Sequence, residues 1–150
     1  MPTGSIAECL FCRIAAGDVP AKIVLEDQYF LAFLDHRPLF PGHCLLISKQ
    51  HCDTLSDLPA GQSALLIADI KILCSALESA LPADGTFVAI NNRVSQSVPH
   101  LHVHVVPRRR KDGLRGFFWP RQRYRDESEM ESVRASVAAA VARSQKPQSQ

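Results

Sequence analysis

Three of the six histidines in this 150-residue chain stand within five positions, in Pro99-His100-Leu101-His102-Val103-His104-Val105-Val106-Pro107. Side chains alternate along an extended strand, so His100, His102 and His104 share one face, roughly 6.7 Å from one to the next. Leu101, Val103 and Val105 take the other face, which is the pattern of a half-buried strand. Three imidazoles on one face must be hydrated, hydrogen-bonded or bound to something. A solvent-facing strand that merely uses histidine fits such a concentration poorly. Two chemistries remain open. The histidines could be ligands of an open zinc site that activates water, or a neutral imidazole nitrogen could attack phosphorus while flanking donors hold the phosphate oxygens. Three positions in a row on one strand are far apart for a single metal. Upstream, Asn91-Asn92-Arg93-Val94-Ser95-Gln96-Ser97 supplies amide and hydroxyl donors that suit a phosphate. These residues tilt the choice toward the nucleophile.

A second group with ligand chemistry is Cys9-Leu10-Phe11-Cys12, a Cys-x-x-Cys. It reads as a zinc knuckle or a redox pair, and no thioredoxin-like βαβ pattern follows it. A tetrahedral site needs two more ligands, for which His51 and His100 are available. Cys44, Cys52 and Cys74 read as small hydrophobes, with Cys52 a competing ligand beside His51. Five cysteines is an odd count without the spacing of a disulfide framework, so we expect reduced thiols and a cytoplasmic location.

The elements that must position these groups follow from periodicity. Cys9 to Ala16 suits a short helix ended by Gly17. Lys22–Glu26 and Tyr29–Leu34 are strand-like with a hairpin between them, and His43–Ser48 is a third strand. Leu66, Ile70, Leu73 and Leu77 recur at helical spacing within about 59–81. Thr86–Asn91 and Leu101–Val106 give two more strands, and a polar helix from Glu127 to Ala142 closes the chain. Strands joined by short turns and flanked by helices predict an α+β fold built on a mostly antiparallel sheet. One domain is expected: a core over about 9–107, a basic aromatic segment and helix over 108–143, and a frayed tail over 144–150.

Composition excludes several classes. The chain is 46% hydrophobic and 21% charged, neither disordered nor fibrous. No apolar run stands out at the ~20 residues a membrane span needs. The net charge of +2 does not itself call for a polyanion. The basic residues are nevertheless uneven: between Arg108 and Arg125 eight of them face one acid, Asp112, and Phe117, Phe118 and Trp119 are interleaved. That stretch reads as a solvated loop, or as a flap in which arginines meet phosphate and Trp119 stacks on a base. Nucleic-acid binding is the poorer reading at this total charge.

The His100-Leu101-His102-Val103-His104-Val105-Val106 run resembles the signature of the histidine-triad (HIT) family of nucleotide hydrolases and transferases. Pro20-Ala21-Lys22, Glu26-Asp27, Leu31-Ala32-Phe33-Leu34-Asp35, Pro41-Gly42-His43 and Gln96-Ser97-Val98-Pro99 resemble the family's other motifs in order and spacing. The resemblance implies a HIT-like fold with a five-stranded antiparallel sheet, one long helix and a C-terminal helix, and a homodimer. It makes His102 the nucleophile that takes the nucleotidyl group from a purine nucleotide, either a dinucleoside polyphosphate or a nucleoside phosphoramidate, and the basic segment tilts the choice slightly toward polyphosphates. His104 would donate to a phosphate oxygen with help from Asn91 and Ser97, and Ser97 would serve the leaving group. His43 would support the triad, and Asp35 would accept the ribose hydroxyls. Leu10, Phe11, Ile14 and Phe33 would line the base pocket, although any one of them taken alone reads better as ordinary core. His36 replaces the apolar residue usual beside the ribose, and Val94-Ser95-Gln96 replaces a longer glycine-containing loop. Gln96 belongs to the substrate segment. Zinc-bearing relatives imply a structural zinc on Cys9, Cys12, His51 and His100. The alternatives are a nucleotide- or nucleic-acid-binding protein with weak turnover, and a zinc-dependent hydrolase.

Overall fold

Two short strands with apolar residues at nearly every position set the architecture, because both of their faces need covering. The computed structural model describes residues 8–115 and 121–144. In chain order its elements are α1 (Leu10–Ala15), β1 (Ile23–Glu26), β2 (Phe30–Leu34), β3 (Cys44–Ser48), α2 (Ser63–Ala80), β4 (Gly85–Ala89), β5 (His102–Arg108) and α3 (Glu127–Ser144). Two single 3₁₀ turns, Leu55–Asp57 and Ala60–Gln62, lead into α2. The five strands form one sheet in the order β1-β2-β3-β5-β4, antiparallel throughout. This is the α+β architecture that the sequence patterns predict.

Alternation divides β2 and β3 between two cores. Phe30, Ala32, Cys44 and Leu46 pack under α2 with Leu66, Ile70, Leu73 and Leu77. Leu31, Phe33, Leu45 and Ile47 pack under α1 with Phe11 and Ile14. Burying such side chains contributes roughly 1.5–3 kcal/mol each. A six-residue helix has no stability of its own in water, so α1 exists because Phe11 and Ile14 are seated on the sheet. Gly17, at φ +83, ends it in a left-handed turn.

The β5 register fixes where the histidines point. His102 pairs with Ile47 and His104 with Leu45, which places both on the α1 face. Leu101, Val103 and Val105 complete the core under α2. The chain enters β5 one residue later than the pattern predicts and leaves it two residues later, at Arg108. β4 ends at Ala89 rather than Asn91 because the Asn91–Ser97 segment turns away into a loop.

The membrane reading needs one correction. Ala60–Ala80 has the length and mean hydropathy, 1.4, of a bilayer-crossing helix. Its apolar stripe at Leu66, Ile70, Leu73 and Leu77 is instead buried on the sheet, while Leu65, Ile67 and Ile72 on its outer side are exposed.

The described residues up to Asp112 form one compact unit, and those from Gly113 onward form a second. In the second unit, Asp126 stands just before α3, and its carboxylate accepts the Glu129 N–H at 2.8 Å, an N-cap arrangement. The Gly116–Pro120 aromatic segment and the 145–150 tail lie outside the described residues.

Candidate active site and metal centre

His102 is almost wholly buried at 4% exposure, with Phe11 edge-on to its ring at 5.2 Å between centroids. Its Nδ1 lies 2.7 Å from the backbone carbonyl of His100. A carbonyl only accepts, so in the neutral ring Nδ1 carries the proton and Nε2 the lone pair. The residue expected to act as nucleophile is thus held in the tautomer a nucleophile requires.

His104 is set by a relay. The Leu39 N–H donates to His43 Nδ1 at 3.1 Å, which leaves the proton of a neutral His43 on Nε2. That nitrogen stands 3.0 Å from His104 Nδ1 and donates to it. His104 therefore presents an Nε2–H, the donor a phosphate oxygen needs. Burial holds both rings neutral: it pushes the pKa of His43 below its ordinary value, and burial together with His102 and His43 pushes that of His104 down to about 4. The His102 and His104 centroids are 5.0 Å apart, so a lone pair and a donor are adjacent.

Asp35 lies beside this relay, with Oδ2 3.9 Å from His43 Nε2, and its Oδ1 accepts the Arg37 N–H at 2.9 Å. A groove of about 500 Å³ brings together Leu10, Ile14, Phe33 and His36 and adds Lys22. Phe11 is not on that groove: it is buried, touching Phe33 and His102. His36 is 87% exposed at the side chain.

The loop before β5 is fastened rather than open. Asn91 Nδ2 donates to the Ser95 carbonyl at 3.1 Å, and Gln96 Nε2 donates to the Asp53 carbonyl at 2.6 Å. The same Gln96 amide reaches the His100 carbonyl at 3.4 Å, the acceptor that orients His102. Arg93 and Ser95 take left-handed φ values of 68 and 58, a conformation that costs a residue with a Cβ about 1–2 kcal/mol. Ser97 is exposed on this loop.

A second cluster collects Cys9, Cys12, His51 and His100, whose ligand atoms all lie within 4.8 Å of one another. Cys9 Sγ is 3.3 Å and Cys12 Sγ 3.5 Å from His100 Nδ1, and Cys12 Sγ is 3.2 Å from His51 Nδ1. Nitrogen and sulfur ligands of a tetrahedral zinc stand roughly 3.5 Å apart. The outward nitrogens are also correctly satisfied: His51 Nε2 faces the Asp53 carboxylate at 2.9 Å, and His100 Nε2 faces the Ser48 carbonyl at 2.7 Å. Acceptors there hold protons on the outward nitrogens and free the inward ones for a metal. Burial and the neighbouring Cys9 push the Cys12 thiol up to about 11, a cost that a bound cation would offset.

Asp35, His43 and His104 also converge, but there the outer bond is wrong for a metal. Nε2 ligation by His43 would require a proton on Nδ1, and the Leu39 N–H already points at that atom. The triad therefore divides: His100 belongs to the cysteine cluster, His102 and His104 face the groove side. Among the described residues no cluster joins all three, so the geometry does not support the triad as the ligand set of one catalytic zinc.

The model of the HIT domain matches residues 16–111. The chain belongs to the HIT domain family. An adenosine 5'-monophosphoramidase of Saccharomyces cerevisiae is 35% identical over 119 residues, covering 77% of this chain and 72% of the relative. A Streptococcus mutans crystal structure superposes with TM-score 0.82 at 36% identity, covering 93% of this chain and 88% of that one. A zinc-bound histidine triad family protein from Mycobacterium smegmatis is 40% identical, with TM-score 0.67 and coverage of 91% and 97%. The structure brings Cys9, Cys12, His51 and His100 together as the motifs suggest, and sets His43 and Asp35 beside His104. Asp53, the His100 and Ser48 carbonyls and the Leu39 N–H, which orient these rings, are not part of those motifs. Only Asp53, two residues past a ligand histidine, carried a readable signal.

Proposed function

We propose that this HIT protein hydrolyses purine nucleotides at the α-phosphorus through a nucleotidyl-His102 intermediate, with nucleoside phosphoramidates as the substrate class. That the chain is a hydrolase of the HIT type rests on its family membership and on relatives with that activity. The observation that carries the intermediate is the 2.7 Å contact between His102 Nδ1 and the His100 carbonyl. In this reading Nε2 forms a bond to phosphorus while the P–N bond to the leaving amine breaks, and the amine departs with a proton that solvent water delivers through the Ser97 hydroxyl. Water then attacks the adenylyl-histidine, the N–P bond breaks, and nucleoside monophosphate is released. His104 Nε2–H stabilises the charge on the phosphate oxygens in both steps. Asp35 takes the ribose hydroxyls and the Leu10–Phe33 groove takes the base.

Zinc fits Cys9, Cys12, His51 and His100, where it would pin α1 to the start of β5 and fix the strand that carries His102. Its role in this reading is structural, and the reduced thiols suit a cytoplasmic setting. We further place a second copy of the chain along the edge strand β4 and the outer face of α2. Ile67 and Ile72 there are each 56% exposed and Val88 on β4 is 40% exposed.

Intact-protein mass spectrometry after brief mixing, quenched without acid, tests the mechanism. Adenosine phosphoramidate should give an adduct of one adenylyl group on the wild type and none on His102→Ala, whose turnover should fall at least about 10³-fold. Diadenosine tetraphosphate is the comparison: faster turnover of it would move the substrate class to dinucleoside polyphosphates. AMP release without any adduct, undiminished in His102→Ala, would overturn the covalent route.

A further inference from the structure

We propose that the turn Arg109–Lys111 and the apolar wall beside it form a second ligand site, for a phosphomonoester carried on a planar or apolar body of mononucleotide size. A cavity of about 440 Å³ opens where β5 ends, walled by Phe40, Pro41, Leu81 and Pro107 and edged by Arg109, Arg110, Lys111 and one acid, Asp112. Mostly apolar walls with a few convergent charges, in this size range, are the usual make-up of a small-molecule site. It is not the catalytic groove. Arg109 lies five residues past His104 along and beyond the same strand, ~17 Å at strand rise.

The turn is built, not merely charged. Asp112 accepts the Arg108 guanidinium at 2.9 Å and the Arg109 N–H at 3.1 Å, and Asp84 accepts the Arg110 N–H at 2.8 Å. The two nearby carboxylates thus hold the backbone. The side chains of Arg109, Arg110 and Lys111 have no ion-pair partner among the described residues. Lys111 sits at φ +63, a left-handed conformation that costs energy in a side-chain-bearing residue. Three neighbouring cations repel one another, and an anion relieves that repulsion. Two guanidiniums match the oxygens of a phosphate in a way that a single ammonium does not. Phe40, Pro41 and Pro107 give the cavity an apolar lining, and an aromatic ring within it suits a planar group.

The site shares one rigid turn with the catalytic relay. The His43 N–H donates to the Phe40 carbonyl at 3.0 Å. A Cβ on Gly42 would fall 2.3 Å from Leu81 Cδ1, so this turn is pressed against the cavity wall.

Amide NMR of the full-length protein, titrated separately with AMP, adenosine and inorganic phosphate, tests the proposal. AMP should shift two separate groups of amides: Gly42, Ala83 and Arg109–Lys111 at the new site, and those around His102 at the triad. In the triple variant Arg109→Ser, Arg110→Ser, Lys111→Ser, AMP affinity at the first group should fall at least about tenfold, with the second group unchanged. No shift at the turn up to about 10 mM AMP, or equal affinity in wild type and variant, would overturn it. So would inorganic phosphate binding as tightly as AMP, since that gives the apolar wall no role. The two groups report separately, so absence of shifts around His102 alone would count against the proposed activity and not against this site.

Discussion

Replacing Asp69 by asparagine should make the protein's stability less dependent on pH, in a direction set by one buried carboxyl and its exposed partner Asp27. Asp69 is 7% exposed on α2, among Leu66, Ile70 and Leu73, and its Oδ2 has no hydrogen-bond partner. Its side chain is hydrogen-bonded to Asp27. Asp27 accepts the Tyr29 and Phe30 N–H groups, each at 2.7 Å, and those bonds hold its pKa below the ordinary value. Asp27 therefore stays ionised and Asp69 holds the proton between them. Burial, with Asp27 adding to it, pushes the Asp69 carboxyl up from 3.8 to about 6. The folded state thus binds this proton more tightly than the unfolded state. Its contribution is complete below pH 3.8 and is lost as pH rises through about 6. At 1.36 kcal/mol per pKa unit, the loss is about 3 kcal/mol. An asparagine side chain at this position keeps the donor to Asp27 and cannot ionise. Urea unfolding followed by far-UV circular dichroism at pH 4.5, 6 and 8 should therefore show Asp69→Asn gaining on the wild type by about 2–3 kcal/mol across that range. Protonation of Cys9, Cys12, His51 and His100 is common to both proteins and cancels in the difference. A difference that stays flat with pH, or grows toward acid, would refute the shared-proton reasoning.

Three further outcomes follow. Asp53→Asn removes the carboxylate behind His51 and should weaken zinc binding about 10–100-fold in a chelator competition, while His102 keeps its carbonyl acceptor. Gly42→Ala combines a left-handed φ of +101 with a Cβ 2.3 Å from Leu81 Cδ1, so it should cost about 2–4 kcal/mol in urea unfolding. Ile72→Glu should convert the proposed dimer to monomer in light scattering coupled to size exclusion, with circular dichroism unchanged.

The sequence carried the parts of the site that periodicity encodes. Alternation in β5 separated His100, His102 and His104 from Leu101, Val103 and Val105, and both faces are where that pattern predicts. The helical spacing of Leu66, Ile70, Leu73 and Leu77 gave α2 for the same reason. Other features depend on backbone atoms that no side-chain pattern reveals. The His100 carbonyl that sets the His102 tautomer and the Leu39 N–H that sets the His43 proton are of this kind. Asp69 was illegible because a helical polar residue is ordinarily exposed, and its partner lies in a distant hairpin. The left-handed turns at Arg93, Ser95 and Lys111 carry no glycine to announce them.

The placement of His100 bears on how such a strand can change over evolutionary time. Its imidazole is committed to the cysteine cluster, its carbonyl to His102, and the next residue, Leu101, to the opposite core. Substitutions can be absorbed one at a time, but a single-residue insertion or deletion between His100 and Val106 would exchange the two faces at once, burying imidazole against leucine and turning valine toward the substrate. A length change in the loop before Pro99 leaves that alternation intact, so the two faces of β5 tolerate replacement of side chains in place but not a shift of register.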